Sequence, residues 1–431
     1  MRSVSVIGLR GNGKRHALLC YRLPGRVWRG VIVERGRTGI SQVEAIAIRD
    51  RAHHADHLRQ ARWGTTGFFL LLGTVLGSWV ARIPAVQNGL GLDDAQLGVA
   101  LLSTSVGAIL AMPATGWLVQ VWGNPRIVRV AATALCASLP LLPLAPSMPL
   151  LMLTLFIFGI GFGLLDVSMN VQAVAIEEGY GRPIMSTFHG VFSIGGLVGA
   201  ATAGLIAGAG VPPVLHLLAV ALILLITVAI ASRPLLDIPA AAEGVPVFAI
   251  PPRSLLGLGL LSFCVLFGEG AVADWSAVYL ENVLGSTPAI AAAGFGASSL
   301  AMAGMRFAGD ALTLHFGAER LVRLGGLVAG LGMTGGLLIG TIPAAVIGFA
   351  CVGAGLAVAF PIALGAGGRT PGMASGTAIG AVATAGYTGL LVGAPLIGFV
   401  SDQAGLRAGL GLVAVLSLIT ALLASTVRSQ R

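Results

Sequence analysis

From about residue 64 to residue 427 the chain is a nearly unbroken series of apolar windows. They centre near Leu72, Ser105, Cys136, Gly161, Gly196, Leu222, Val265, Leu300, Gly330, Val358, Thr388 and Leu418. Each is about 17 to 25 residues long, the length a helix needs to cross a hydrocarbon core of about 30 Å. Lipid offers a bare N–H or C=O no partner, so only helices or closed barrels cross it, and windows this long must be helical. The expected fold class is therefore all-α: a polytopic membrane protein of twelve transmembrane helices. The separators are short and carry Pro, Gly or charge, which leaves no room for a soluble catalytic domain. Composition agrees: 56% of residues are hydrophobic and 10% charged, and mean hydropathy is +0.91, outside the range of soluble domains.

The net charge of +9 invites a nucleic-acid reading until it is partitioned. Residues 1–63 hold 13 Lys+Arg against 4 Asp+Glu, so the whole excess precedes the first span. A basic leader retains the N-terminus in the cytoplasm. Under that orientation eleven later arginines, from Arg126 to Arg431, fall on the cytoplasmic side, and only Arg82 and Arg407 fall outside. Both termini are expected in the cytoplasm of a bacterium, with the spans in its cytoplasmic membrane. The leader shows neither helical nor strand periodicity and reads as disordered, its charge drawn to anionic headgroups of the membrane lipids. It carries no nucleic-acid motif, so no nucleic-acid partner is expected. No short apolar core with a cleavage site precedes Arg62, so it does not read as a cleavable signal. Cys20, Cys136, Cys264 and Cys351 are scattered and suggest no disulfide or metal framework.

Repetition organises the spans. Trp79 and Trp275 end the first and seventh. Leu-Val-Gly-Ala at 197–200 returns at 391–394, an offset of 194, and Gly123 and Gly317 share that offset. These matches fit two pseudo-symmetric six-helix halves: leader 1–63, first half 64–232, cytoplasmic linker 233–253, second half 254–427 and cytoplasmic tail 428–431. Two spans carry further markers, Gly163-Leu-Leu-Asp166-Val-Ser-Met-Asn170 and Ser186-Thr-Phe-His189-Gly-Val-Phe-Ser-Ile-Gly195-Gly. On these blocks the chain resembles the major facilitator superfamily over roughly residues 64–427, and within it the fucose permease-like branch of proton-coupled sugar symporters. The superfamily's Gly-x-x-x-Asp-x-x-Gly loop motif is degraded at Gly116 to Gly123, which lacks the acid. It persists partly around Asp310 and Gly317 and is clearest at Gly398-Phe-Val-Ser-Asp402-Gln-Ala-Gly405. The resemblance implies a substrate site between the halves near the midplane.

Ionisable residues inside apolar spans are costly, by at least about 2.5 to 3.5 kcal/mol at a helix centre on insertion scales, and they mark pathways for protons or solutes. The resemblance makes Asp166 the acidic proton site, with Asp in place of Glu; the competing reading is a packing carboxylate. Asn170, four residues on, shares its helix face and either binds solute or packs. His189 is a candidate relay beside Asp166, since small shifts switch its charge near neutral pH, or else a packing residue between Phe188 and Phe192. Glu269, flanked by Gly268 and Gly270, is a second proton candidate. Asp274 and Trp275 are candidates for substrate contact, with Arg82, which alternatively gates through Asp274. Arg306 and Asp310, four apart at the cytoplasmic end of the eighth span, share a helix face and are expected to form either an intrahelical pair or a gate contact.

The expected function is secondary active transport, coupled to protons, of a small sugar-like or organic-anion substrate by alternating access in a monomer. The alternatives are a proton-driven drug or metabolite efflux antiporter and, more distantly, a non-transporting membrane sensor. No nucleophile motif, metal-ligand set or Gly-x-x-x-x-Gly-Lys-Ser/Thr loop occurs, so no enzyme activity, no cofactor, no metal and no ATP drive are expected.

Overall fold

The computed structural model describes the backbone of residues 5–11, 14–21, 29–34, 42–238, 252–370, 373 and 375–428, with side chains from residue 55 onward. It forms two compact units, Met1–Gln60 and Ala61–Arg431.

The leader corrects the expectation of disorder. Strands β1 (Ser5–Gly11), β2 (Lys14–Tyr21) and β3 (Arg29–Glu34) form an antiparallel sheet in that order. Ser5 lies opposite Cys20, Gly11 opposite Lys14, and His16 opposite Glu34. The all-α class holds for the larger unit.

That unit is built of helices. Its first half comprises α1 (Gln42–Val80, which begins in the leader), α2 (Ile83–Leu90), α3 (Asp94–Trp122), α4 (Asn124–Ser138), α5 (Met148–Tyr180), α6 (Met185–Gly208) and α7 (Pro213–Ala231). The second comprises α8 (Leu256–Val278), α9 (Pro288–Phe316), α10 (Ala318–Ile339), α11 (Ile342–Leu356), α12 (Ala359–Gly368), α13 (Ser375–Ala404) and α14 (Leu406–Leu423). Proline in the first turn starts α2, α4, α5, α7, α9 and α11, where its missing N–H costs nothing. A capping box starts α3: Asp93 accepts from the Gln96 N–H at 2.7 Å, and the Gln96 side chain accepts from the Asp93 N–H at 3.2 Å. Helix α6 has no cap of its own; Glu177 from the end of α5 accepts the N–H groups of Ile184 and Met185, each at 2.7 Å.

Eleven of the twelve expected centres fall in helices and the twelfth, Val358, at a break between two; eleven helical segments among the described residues are long and apolar enough to cross a membrane. The exception is α4, of 15 residues. Arg126 and Arg129 occupy its start, and a short 3-10 turn, Leu139–Leu141, continues it to the prolines Pro140 and Pro143. The tenth crossing is split, α11 and α12 meeting at a break at Ala357 and Val358.

Glycine explains how the helices pack. A Cβ on Gly159 of α5 would stand 2.1 Å from the Thr104 carbonyl oxygen of α3. On Gly195 of α6 it would stand 2.3 Å from that of Leu70, and on Gly389 of α13, 194 positions later, 2.3 Å from that of Phe263 in α8. Backbones touch where small residues let them, the usual means of helix association in lipid. Two seams join the halves: α6 runs along α9, and α3 along α13.

The chain turns alternately at two faces, one carrying α2 and the other the turns at Gly123 and Gly317. These two glycines adopt φ 80°, ψ 146° and φ 79°, ψ 151°, a region closed to other residues, so the repeat is preserved in backbone geometry. Gly405 adopts the same conformation, φ 81°, ψ 154°, yet lies at the α2 face, because Gly398 meets the Asp94 carbonyl at the start of α3. The clearest sequence copy of the loop motif is therefore not the counterpart of the Gly123 loop. Of the expected linker, residues 239–251 lie outside the described residues, as do 429–431 of the tail. The linker's start is pinned: buried Gln172 donates to the Leu236 carbonyl at 2.7 Å and accepts its N–H at 3.0 Å.

Candidate functional site

Three helices bring the strongest polar cluster together at the α6–α9 seam. Arg306 of α9 reaches Glu269 of α8 at 3.5 Å, with 13% and 19% of the two side chains exposed. The same guanidinium donates to the Ser193 hydroxyl at 2.9 Å and to the His189 carbonyl at 3.5 Å, both on α6. Ser193 in turn donates to the His189 carbonyl at 3.2 Å. Arg306 thus binds both halves at once: Glu269 in its own, Ser193 and His189 in the other. A guanidinium carries five N–H donors, so a solute carboxylate or hydroxyl can compete for those that hold Glu269.

Of the two arrangements expected for Arg306 and Asp310, the intrahelical pair is not formed. The two residues share α9, but the Asp310 carboxylate accepts from Ser186 at 3.4 Å and Arg306 turns inward. The cause is length: α9 continues to Phe316, about three turns past Arg306, so the arginine lies well inside the span rather than at its end.

Asp166 and Asn170 do share a face of α5. The Asn170 amide donates to the Asp166 carbonyl at 2.8 Å and to its carboxylate at 3.2 Å, so part of its capacity is spent holding the acid. Tyr387 of α13 lies within electrostatic reach of Asp166, and its ring meets Phe360 of α12 edge-on. Asp166 is half-buried. The expected contact with His189 is not made. His189 stands edge-on to Phe69 of α1, ring centroids 5.3 Å apart, and its charged neighbour is Arg306.

Glu269 and Asp274 diverge on α8, as five positions require. Asp274 is half-buried, with no hydrogen bond or ion pair to any described residue. Trp275, expected at the substrate, is instead fully buried in the core, its indole N–H unpaired. Nor does Arg82 meet Asp274. It is 4% exposed, donates to His216 Nδ1 and to the Val211 carbonyl, each at 3.2 Å, and lies within electrostatic reach of Glu281. It is a fastening between the end of α1 and α7. Sequence reasoning missed Ser193, Tyr387 and His216, which carry no local signal; only the fold brings them to their charged partners.

The sequence profile of the Major Facilitator Superfamily matches residues 63–389. The chain belongs to the Major Facilitator Superfamily. Within it, the chain is 34% identical over 353 residues to an uncharacterized MFS-type transporter of Yersinia pestis, covering 82% of this chain and 92% of that protein. It is 34% identical over 371 residues to an uncharacterized transporter of Sinorhizobium fredii, covering 85% and 97%. It is 33% identical over 353 residues to the membrane protein MosC of Rhizobium meliloti, covering 80% and 85%. The fold matches the crystal structure of the nucleoside transporter NupG with a TM-score of 0.66 at 13% identity, over 84% of this chain and 98% of that one. The chain is therefore an integral membrane transporter, not an enzyme.

Proposed function

We propose that this transporter moves a small polar solute, sugar-like or an organic anion, across the bacterial cytoplasmic membrane in exchange for the energy of a proton gradient, with both termini in the cytoplasm. The Arg306–Glu269 pair, tied across the seam to Ser193, carries the reading. An ion pair inside a span is sustained only while both partners are charged and paired. A proton on Glu269, or a solute oxygen at Arg306, each removes one partner's claim on the other. Loading of proton and solute is thereby linked at one guanidinium. Asp166, clamped by Asn170 and close to Tyr387, serves as a second proton site.

A second reading rests on a separate observation. Asp166 and Asp274 have no cationic partner among the described residues, which favours a solute bearing an amine and, with it, proton-driven export of a cationic drug or metabolite. Uptake by purified protein in lipid vesicles separates the two. The panel comprises neutral sugars, organic acids and amines, each with an imposed pH gradient of either sense. Concentrative entry of a sugar or acid along the proton gradient, lost in Glu269→Gln, supports the first reading. Amine movement against the proton flow supports the second. Accumulation indifferent to the gradient and to Glu269→Gln overturns proton coupling.

A further inference from the structure

At the α2 face, side chains from the two halves form a directed chain of hydrogen bonds. Asn88 of α2 donates to the Asn282 side-chain carbonyl at 3.3 Å. Asn282, in the π-helical turn Tyr279–Val283 that ends α8, donates to the Gln87 side-chain carbonyl at 3.0 Å. Gln87 donates to the Asp94 carboxylate at 3.0 Å, at the start of α3. The chain thus passes from the first half to the second and back.

Asn88 and Asn282 are 194 positions apart, the interval that relates the halves elsewhere. The segments they close end at Gly91 and Gly285, with φ of 65° and 67°. The two asparagines are therefore pseudo-symmetric equivalents that bond to each other, which puts their contact on the axis relating the halves. Near that point the backbones of the two halves also touch: a Cβ on Gly98 of α3 would stand 2.7 Å from the Ala394 carbonyl of α13. Helix α2 packs against α8 here, whereas among the described residues no packing of comparable extent joins α5 and α12, which approach the opposite face.

We propose that Gln87, Asn88 and Asn282 form an amide latch that holds the α2 face shut, and that its release is the step that opens the transporter to that side. Amides suit the task. They trade each other for water at small net cost, because a hydrogen bond between neutral groups returns only a modest advantage over hydration, whereas an ion pair would pay for desolvation on each closure. The latch holds whatever solute or ion the seam cluster carries, so it stands or falls independently of proton coupling.

The test is a distance measurement across the α2 face, between spin labels on Ala85→Cys of α2 and Gln403→Cys of α13, both exposed positions, with the native cysteines replaced by alanine and the protein in lipid vesicles. One short distance is expected to dominate. Asn282→Ala, which removes both cross-half bonds, is expected to raise the ratio of long to short distances about 5- to 150-fold, the range for losing two bonds of ordinary net strength. An unchanged ratio in a variant that melts at the parent's temperature overturns the proposal.

Discussion

At the scale of single residues, charge inside lipid is the most informative feature, and each such side chain has a separable role. Asp166→Asn preserves shape and hydrogen bonding but cannot titrate; it is expected to leave solute exchange between vesicle compartments intact while abolishing accumulation driven by a pH gradient. If accumulation persists, Glu269 alone carries the proton. Arg306→Lys keeps the charge but replaces a planar fork with one ammonium, which cannot serve Glu269 and Ser193 in the same geometry. Losing one hydrogen bond to a charged group costs about 1.5 to 3 kcal/mol, so transport should fall by about tenfold or more, read as initial uptake rate, with the melting temperature little changed. Asp166 and Asn170 were legible in the sequence because they are polar residues at helical spacing in an apolar run. The partner of Arg306 was not. Local spacing offers Asp310, and the better partner lies 37 positions away on another helix.

At the scale of elements, helix contacts are set by glycines that sequence counts without ranking. Gly159→Val would drive side-chain atoms into the Thr104 carbonyl of α3, already 2.1 Å from an added Cβ. Overpacking of this kind costs about 1 to 3 kcal/mol, measurable as a lowered melting temperature in detergent. Gly335→Ala meets nothing within 4 Å and should melt with the parent or slightly above it, since alanine is the better helix former. The twelve apolar windows announced the helices because hydropathy is a sum over many residues and tolerates local error. Boundaries and breaks were less visible. The shortness of α4 depends on two prolines and two arginines acting together, and the sheet in the leader rests on strands whose residues alternate too irregularly to show a period.

At the scale of the whole molecule, two halves related by a 194-residue repeat meet along two seams, and the charged cluster bridges one of them. The repeat was visible from scattered identities because equivalent turns demand glycine at Gly123 and Gly317, whereas the seams depend on which helices the fold sets side by side. The position of Arg306 also bears on how the protein is made. Helix α9 is the least apolar of the eleven crossing segments, with a mean hydropathy of 1.3, and on leaving the ribosome it must enter the bilayer with a guanidinium deep in its length. An arginine at a helix centre opposes insertion by about 2.5 to 3.5 kcal/mol. Helix α8, synthesised just before, carries the carboxylate that offsets it, so the two should partition into the membrane as a hairpin already paired. Glycosylation-mapped insertion of α9 alone should therefore be less efficient than that of the α8–α9 hairpin, and Glu269→Ala in the hairpin should remove much of the advantage. The pair proposed to handle solute in the finished transporter should then also ease the entry of the second half into the membrane at birth.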